Sequence, residues 1–209
     1  MDNLLTPQER LPIATAFKML GALFRSSPSD SALDPFFNIL HARVLEDEWP
    51  LGNTTELMHI QAQMLASTRD QELDMHWQRL FIGPNHLEAP PWGSVYLDKE
   101  QVIFGDSAVE LGLFLKQVGI QINTGMNEPE DHIGLMFWYI ATFIENADDE
   151  KLKALLQEHM LPWAYRYLEL LKIHAKAPFF EGLSDLAVIS LQAGQQLFGV
   201  DAAEKQLFL

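Results

Sequence analysis

The sequence predicts an all-α fold, one helical domain over residues 1–209. Three observations carry this. Apolar residues recur at steps of three and four along most of the chain. Strand-like alternation is confined to Ile120 and Ile122, too short to form a strand. A length of 209 residues with a hydrophobic fraction of 48% suits one buried core.

The elements follow in order. Ile13, Phe17, Leu20 and Phe24 mark the first helix, and Ser26-Ser27-Pro28-Ser29-Asp30 breaks it. Asp34-Pro35 reads as an N-cap followed by Pro at the first helical position, with Phe36, Leu40 and Val44 on one face. Asn53 and Glu56 have capping-box spacing ahead of Leu57, Ile60 and Met64. Leu73, Trp77, Leu80 and Phe81 mark another helix. From about Gly83 to Gly105 the periodicity fails, and Pro84, Pro90, Pro91 and Gly93 predict a long irregular loop. Helix resumes at Asp106-Ser107, with Ser107 in an N-cap position, and runs through Leu111, Phe114, Leu115 and Val118 to a stop at Gly119. A second loop, Gln121 to Glu128, leads to Pro129. Ile133, Met136, Phe137, Ile140 and Ile144 then form a helix apolar nearly all round, and therefore central. Leu152, Leu155, Leu156 and His159 predict the next helix. Pro162 starts or kinks another, and Leu183, Leu186, Ile189, Ala193 and Leu197 form the last.

Composition excludes several functions. Lys and Arg total 14 against 29 Asp and Glu, a net charge of -15. Such a chain repels nucleic-acid phosphates and anionic membrane surfaces, so a cationic partner, or no charged partner, is expected. Cysteine is absent, which removes disulfides, thiolate metal sites and a Cys nucleophile. Met1-Asp2-Asn3-Leu4-Leu5-Thr6-Pro7 has neither the cationic nor the apolar region of a signal peptide. The longest uncharged apolar run, Ile133 to Ile144, covers only about 18 Å as a helix, too short for a bilayer. The expectation is a cytoplasmic protein, not integral to a membrane.

Motifs for catalysis are sparse. No Gly-x-Gly or Walker pattern exists to cradle phosphates. One Glu-x-x-His, Glu56-Leu57-Met58-His59, stands where a di-iron bundle needs two. Gly105-Asp106-Ser107 lacks a matching base. Glu128-Pro129-Glu130-Asp131-His132 is the densest group of possible ligands, but acids at a helix start also follow from the helix dipole. No cofactor and no metal are predicted. What is left is a concentration of large apolar groups around irregular backbone, Trp77, Phe81, Pro90, Pro91, Trp92 and Tyr96, together with the later acids Glu128, Glu130 and Asp131. Aromatic anchors beside carboxylates suit a cationic, amphipathic peptide, with arginine the best-matched cation. The competing reading makes Trp77 and Phe81 ordinary helix core.

Three segments resemble the TorD/DmsD family of redox-enzyme maturation chaperones. They are Trp77-Gln78-Arg79-Leu80-Phe81, Pro90-Pro91-Trp92-Gly93-Ser94-Val95-Tyr96 and Glu128-Pro129-Glu130-Asp131-His132; Phe104-Gly105-Asp106-Ser107 and Pro162-Trp163 fit as well. The likeness runs in order from about Phe17 to Phe198. It implies a helical chaperone, not an enzyme, that binds the twin-arginine signal peptide of a molybdopterin-containing reductase catalytic subunit. The chaperone would hold that precursor until its cofactor is loaded, then release it to the Tat translocase. Trp77 and the Trp92 loop resemble the members that serve dimethyl sulfoxide reductase. The matching positions for the peptide are Trp77, Leu80, Phe81, Pro91, Trp92, Asp131 and His132, to which the chemistry adds Tyr96 and Glu128. In this reading Asp131, with Glu128 or Glu130, meets the arginines. Trp77, Leu80, Phe81, Pro91 and Trp92 form an apolar wall. His132 donates a hydrogen bond, or biases binding with pH near its ordinary pKa of about 6.5. Two alternatives stay open: a different reductase as client, or an enzyme or nucleotide-binding protein built on the Glu128 to His132 cluster.

Overall fold

The helical periodicity resolves into eleven α-helices among the residues that the computed structural model describes, which are 5–67, 72–84, 86–120 and 128–209. They are α1 (Pro7–Arg25), α2 (Asp34–Ala42), α3 (Leu45–Glu48), α4 (Thr54–Leu65), α5 (Leu73–Phe81), α6 (Gly93–Leu97), α7 (Asp106–Gln117), α8 (Ile133–Glu145), α9 (Asp149–Ala154), α10 (Leu161–His174) and α11 (Pro178–Phe198). A 3-10 turn, Ser31–Leu33, precedes α2, and a π-helical turn, Leu155–Met160, joins α9 to α10. Among the described residues there is no strand, only one isolated backbone bridge between Trp92 and His132. Most of the loop expected at Gln121–Glu128, and Ile122 with it, lies outside the described residues.

As expected from its uninterrupted apolar sequence, α8 is central: Ile133, Met136, Phe137, Ile140 and Ile144 are all buried. Its main partner is α1. The two cross closely because each supplies a glycine. A Cβ on Gly134 would lie 2.9 Å from the Gly21 carbonyl oxygen, so only hydrogen fits there. Phe17 and Phe24 pack on Phe137 with ring centroids 6.1 and 5.5 Å away. Farther along, the buried Arg10 grips Asp149 with two bonds of 2.7 and 2.8 Å, tying α1 to the start of α9. On the other side α11 packs against α4 and α10, and one continuous apolar cluster links all these layers.

Local signals differ from expectation at several points. Val44, expected on the face of Phe36 and Leu40, lies past the end of α2 and caps α3. Asp34 is the first residue of α2 rather than its cap; the capping acid is Asp30, which accepts from Ala32 N in the preceding turn. The stretch 83–105 is not wholly irregular, since α6 forms inside it. Gly93 opens α6 because the Trp163 indole lies 2.7 Å from where a Cβ would be. Ser107 is inside α7, not its N-cap; Gly105 holds that position, and the Asp98 carboxylate accepts from Ser107 N at 3.2 Å and Ser107 Oγ at 2.8 Å. A cap carried in from α6 thus locks the two helices together. Asp98→Ala is expected to cost about 1–2 kcal/mol in urea unfolding, because it strands an amide and a hydroxyl together. An unchanged midpoint would show that water replaces the carboxylate. Among the described residues, no helix is long and apolar enough to cross a membrane.

Candidate functional site

Two segments far apart in sequence meet at the start of α8. Ile133 N donates to Pro91 O at 2.8 Å, and Gly93 N donates to Asp131 O at 3.2 Å. These bonds clamp the Pro90–Ser94 turn onto residues 131–133. Buried Asp131 completes the clamp: its Oδ2 accepts from Ser94 N at 2.6 Å, at the N-terminus of α6. Asp131 Oδ1 is buried as well and has no hydrogen-bond partner among the described residues. Burial raises the pKa of this carboxyl, and the Ser94 amide opposes that rise only in part.

His132 is the N-cap of α8, with Nδ1 accepting from Gly134 N at 3.0 Å. The proton of the neutral ring therefore sits on Nε2, which faces Glu128 Oε1 at 3.6 Å. Burial, helped by the positive charge of Arg25, lowers the His132 pKa to about 3. The opposite pull expected of Glu128 is offset because Glu128 is itself paired to the buried guanidinium of Arg25. His132 is thus neutral at pH 7 and carries no charge that could switch near neutrality, which corrects the pH-bias expectation. Arg25 also lies over the Trp138 ring, 5.1 Å from its centroid. Sequence reasoning missed Arg25: a basic residue in the last turn of a helix looks like a dipole partner, and nothing local marks it as buried.

Glu130 is exposed and belongs to no ion pair among the described residues. Trp92 is half-buried, edge-on to His132 at 5.9 Å, and Pro91 is buried beside it. Tyr96 is fully buried, stacked on Trp163 at 5.7 Å. The structure therefore brings Pro91, Trp92, Tyr96, Glu128, Asp131 and His132 into one neighbourhood.

The α5 residues form a second group. Trp77 is half-buried, whereas Leu80 and Phe81 face the core, with Phe81 against Trp77, Phe24 and Phe180 at 6.1, 6.0 and 5.9 Å. Among the described residues no hydrogen bond or ring contact joins Trp77 to Trp92. The indole N–H groups of both are buried without a hydrogen-bond partner among the described residues. Both rings thus offer an unused donor at the edge of the core, the arrangement that makes Trp effective at interfaces.

The group has little room for catalysis. The Glu128 carboxylate is taken by Arg25 and the His132 Nδ1 lone pair by an amide, and no group of three His, Asp or Glu among the described residues is placed to hold a metal ion.

Comparison with known proteins agrees with the resemblance in the sequence. The family model described as nitrate reductase delta subunit matches residues 46–169. The Tat proofreading chaperone DmsD of Salmonella typhi is 38% identical over 200 residues, 96% of this chain and 97% of that protein. The probable Tat proofreading chaperone DmsD of Haemophilus influenzae is 38% identical over 178 residues, 85% of this chain and 87% of that protein. The chaperone protein TorD of a Psychrobacter species is 26% identical over 141 residues, 63% and 64% of the two chains. With a family model covering more than half of its length and a full-length relative at this identity, the chain belongs to the TorD/DmsD family of chaperones.

Proposed function

We propose that this chain is a cytoplasmic chaperone for a molybdopterin-containing reductase. It binds the twin-arginine signal peptide of the catalytic subunit, that of dimethyl sulfoxide reductase first, and releases the precursor to the Tat translocase after cofactor loading. The names of its relatives support the Tat proofreading role. The observation that carries the peptide site is three of the buried polar atoms without a hydrogen-bond partner among the described residues: Asp131 Oδ1 and the indole N–H groups of Trp77 and Trp92. Unmet groups of this kind are costly until a ligand satisfies them. An arginine supplies N–H donors to the carboxylate, and a peptide backbone supplies carbonyl oxygens to the indoles.

The roles divide by exposure. Trp77 and Trp92 present ring surface to the apolar part of the peptide. Leu80, Phe81, Pro91 and Tyr96 form the buried floor. Glu128 and His132 are positioning residues that hold the first turn of α8. Exposed Glu130 and the net charge of -15 draw the cation in, so association slows as salt is added.

Titration calorimetry with a synthetic twin-arginine signal peptide of a dimethyl sulfoxide reductase tests this. Binding is expected at micromolar strength or better, about -8 kcal/mol. Trp92→Ala and Trp77→Ala should each weaken it by about 2 kcal/mol, as expected for buried aromatic anchors, and a twin-lysine peptide should bind more weakly. Equal binding of the twin-lysine peptide, or no binding across a panel of molybdoenzyme leaders, overturns the reading.

A further inference from the structure

The stretch from Val200 to Leu209 forms neither helix nor strand, yet it has a defined path over α6, α10 and the π-helical turn. Ala203 N donates to Gln157 O at 3.0 Å, and Phe208 N donates to Tyr96 O at 2.9 Å. Gln101 Nε2 donates to Phe208 O, and Arg166 Nε donates to Leu209 O at 3.3 Å. Between these anchors Lys205 lines a small cavity together with Gly93, Ser107, Asp131, Glu158 and His159. The cavity holds about 10 Å³, room for one water at most. It contains the neighbourhood of Asp131, which is 3% exposed and whose Oδ1 has no partner among the described residues.

The covering segment has a particular chemistry. Lys205-Gln206-Leu207-Phe208-Leu209 is a cation followed by an apolar run, with Phe208 and Leu209 half-buried. A twin-arginine signal is likewise a cationic pair followed by an apolar stretch. Alongside runs the exposed apolar turn Val102, Ile103 and Phe104, tied to the segment through Gln101. A guanidinium does not fit the cavity while the segment is in place, and a peptide laid over that turn meets the segment first.

We propose that residues Ala203–Leu209 are a built-in occupant of the arginine-binding end of the site, with Lys205 lining the Asp131 cavity, and that an arginine-bearing peptide binds by displacing them. This rests on the signal-peptide reading above. Once the segment lifts, Asp131 Oδ1 and the Glu158 carboxylate face the incoming cation. The segment then sets a threshold: only ligands that replace both its cation and its apolar run gain by moving it, and the apparent affinity is reduced by the fraction of molecules in which it is closed.

The test compares the full chain, a chain ending at Ala202 and the full-length double variant Lys205→Ala/Phe208→Pro, which loses the cation and the amide that Tyr96 accepts. Each is titrated with the synthetic twin-arginine signal peptide, and amide hydrogen exchange is followed at Phe208 in the full chain. The shortened chain and the double variant are expected to bind roughly tenfold tighter, and peptide should speed exchange at Phe208. Equal affinity of all three forms, with Phe208 exchange unmoved by bound peptide, overturns the displacement while leaving the signal-peptide reading intact. Failure of all three forms to bind any of a panel of molybdoenzyme leaders overturns both.

Discussion

Lowering the pH from 6.5 to 4 is expected to destabilise the protein through His132, and His132→Asn to remove that part of the loss. The ring is buried and its pKa is lowered to about 3, whereas in the unfolded chain it returns to about 6.5. Between those values the unfolded chain takes up a proton that the folded chain refuses, so stability falls as pH falls. Well above pH 6.5 the ring is neutral in both states and contributes no slope; well below pH 3 both states are charged and the slope ends. The loss from pH 6.5 to 4 is roughly 3 kcal/mol. His159, half-buried and lowered to about 4 by burial and Lys205, acts in the same direction. Asp131 acts in the opposite one, since a carboxyl raised by burial favours the folded state as it takes up its proton. The variant isolates His132: asparagine keeps a side-chain acceptor for the Gly134 amide and cannot titrate. Urea unfolding of both proteins at pH 7, 5.5 and 4.5 should give curves that converge as the pH falls. Parallel stability profiles would mean that the ring is hydrated enough to protonate in place.

Gly134→Val should be the more damaging change. A Cβ there meets the Gly21 carbonyl oxygen at 2.9 Å and Arg25 Cδ at 3.0 Å; the first is backbone and cannot swing aside. Overpacking at this crossing is expected to cost at least about 3 kcal/mol. For a chain of this size, that lowers the thermal midpoint by about 10 °C. Because α8 begins at Ile133, the shift also moves His132 and Asp131, so peptide affinity should fall with stability. Gly112→Ala is the control. It lies in α7, where among the described residues the nearest atom to a new Cβ is 4.0 Å away, and alanine gains up to about 1 kcal/mol of helix propensity. One glycine change that destabilises and another that stabilises would tie the effect to the crossing. Equal midpoints for Gly134→Val and the parent chain would disprove the close packing.

The long helices were legible because their burial follows the helical period: Phe17, Leu20 and Phe24 in α1 and Ile133, Met136 and Phe137 in α8 all lie in the core. α6 was not legible. Its five residues carry no local start signal, because the carboxylate that meets its N-terminus belongs to Asp131, 37 positions along the chain. The structure does bring Asp131 and His132 beside Trp92, positions that the sequence marked through the family resemblance. Residue type gave no warning that both are buried, that Asp131 holds α6, or that Glu128 is already engaged by Arg25, 103 positions away. Bonds of that span leave no periodic trace. Trp77 and Trp92 were legible as a pair of aromatics near irregular backbone, but not their separation into two groups.

The pairing of α1 with α8 also has a consequence for biosynthesis. The apolar face of α1 is complete once Arg25 has been made, but the helix that covers it ends at Glu145. At about 5–20 residues per second, a ribosome needs roughly 6–24 s to cover that interval. Throughout it Phe17, Leu20 and Phe24 have no native partner on α8, and they form an uncovered hydrophobic stripe on the nascent chain. A chaperone whose earliest apolar helix waits for a partner more than a hundred residues away must itself pass through a state with an uncovered apolar face.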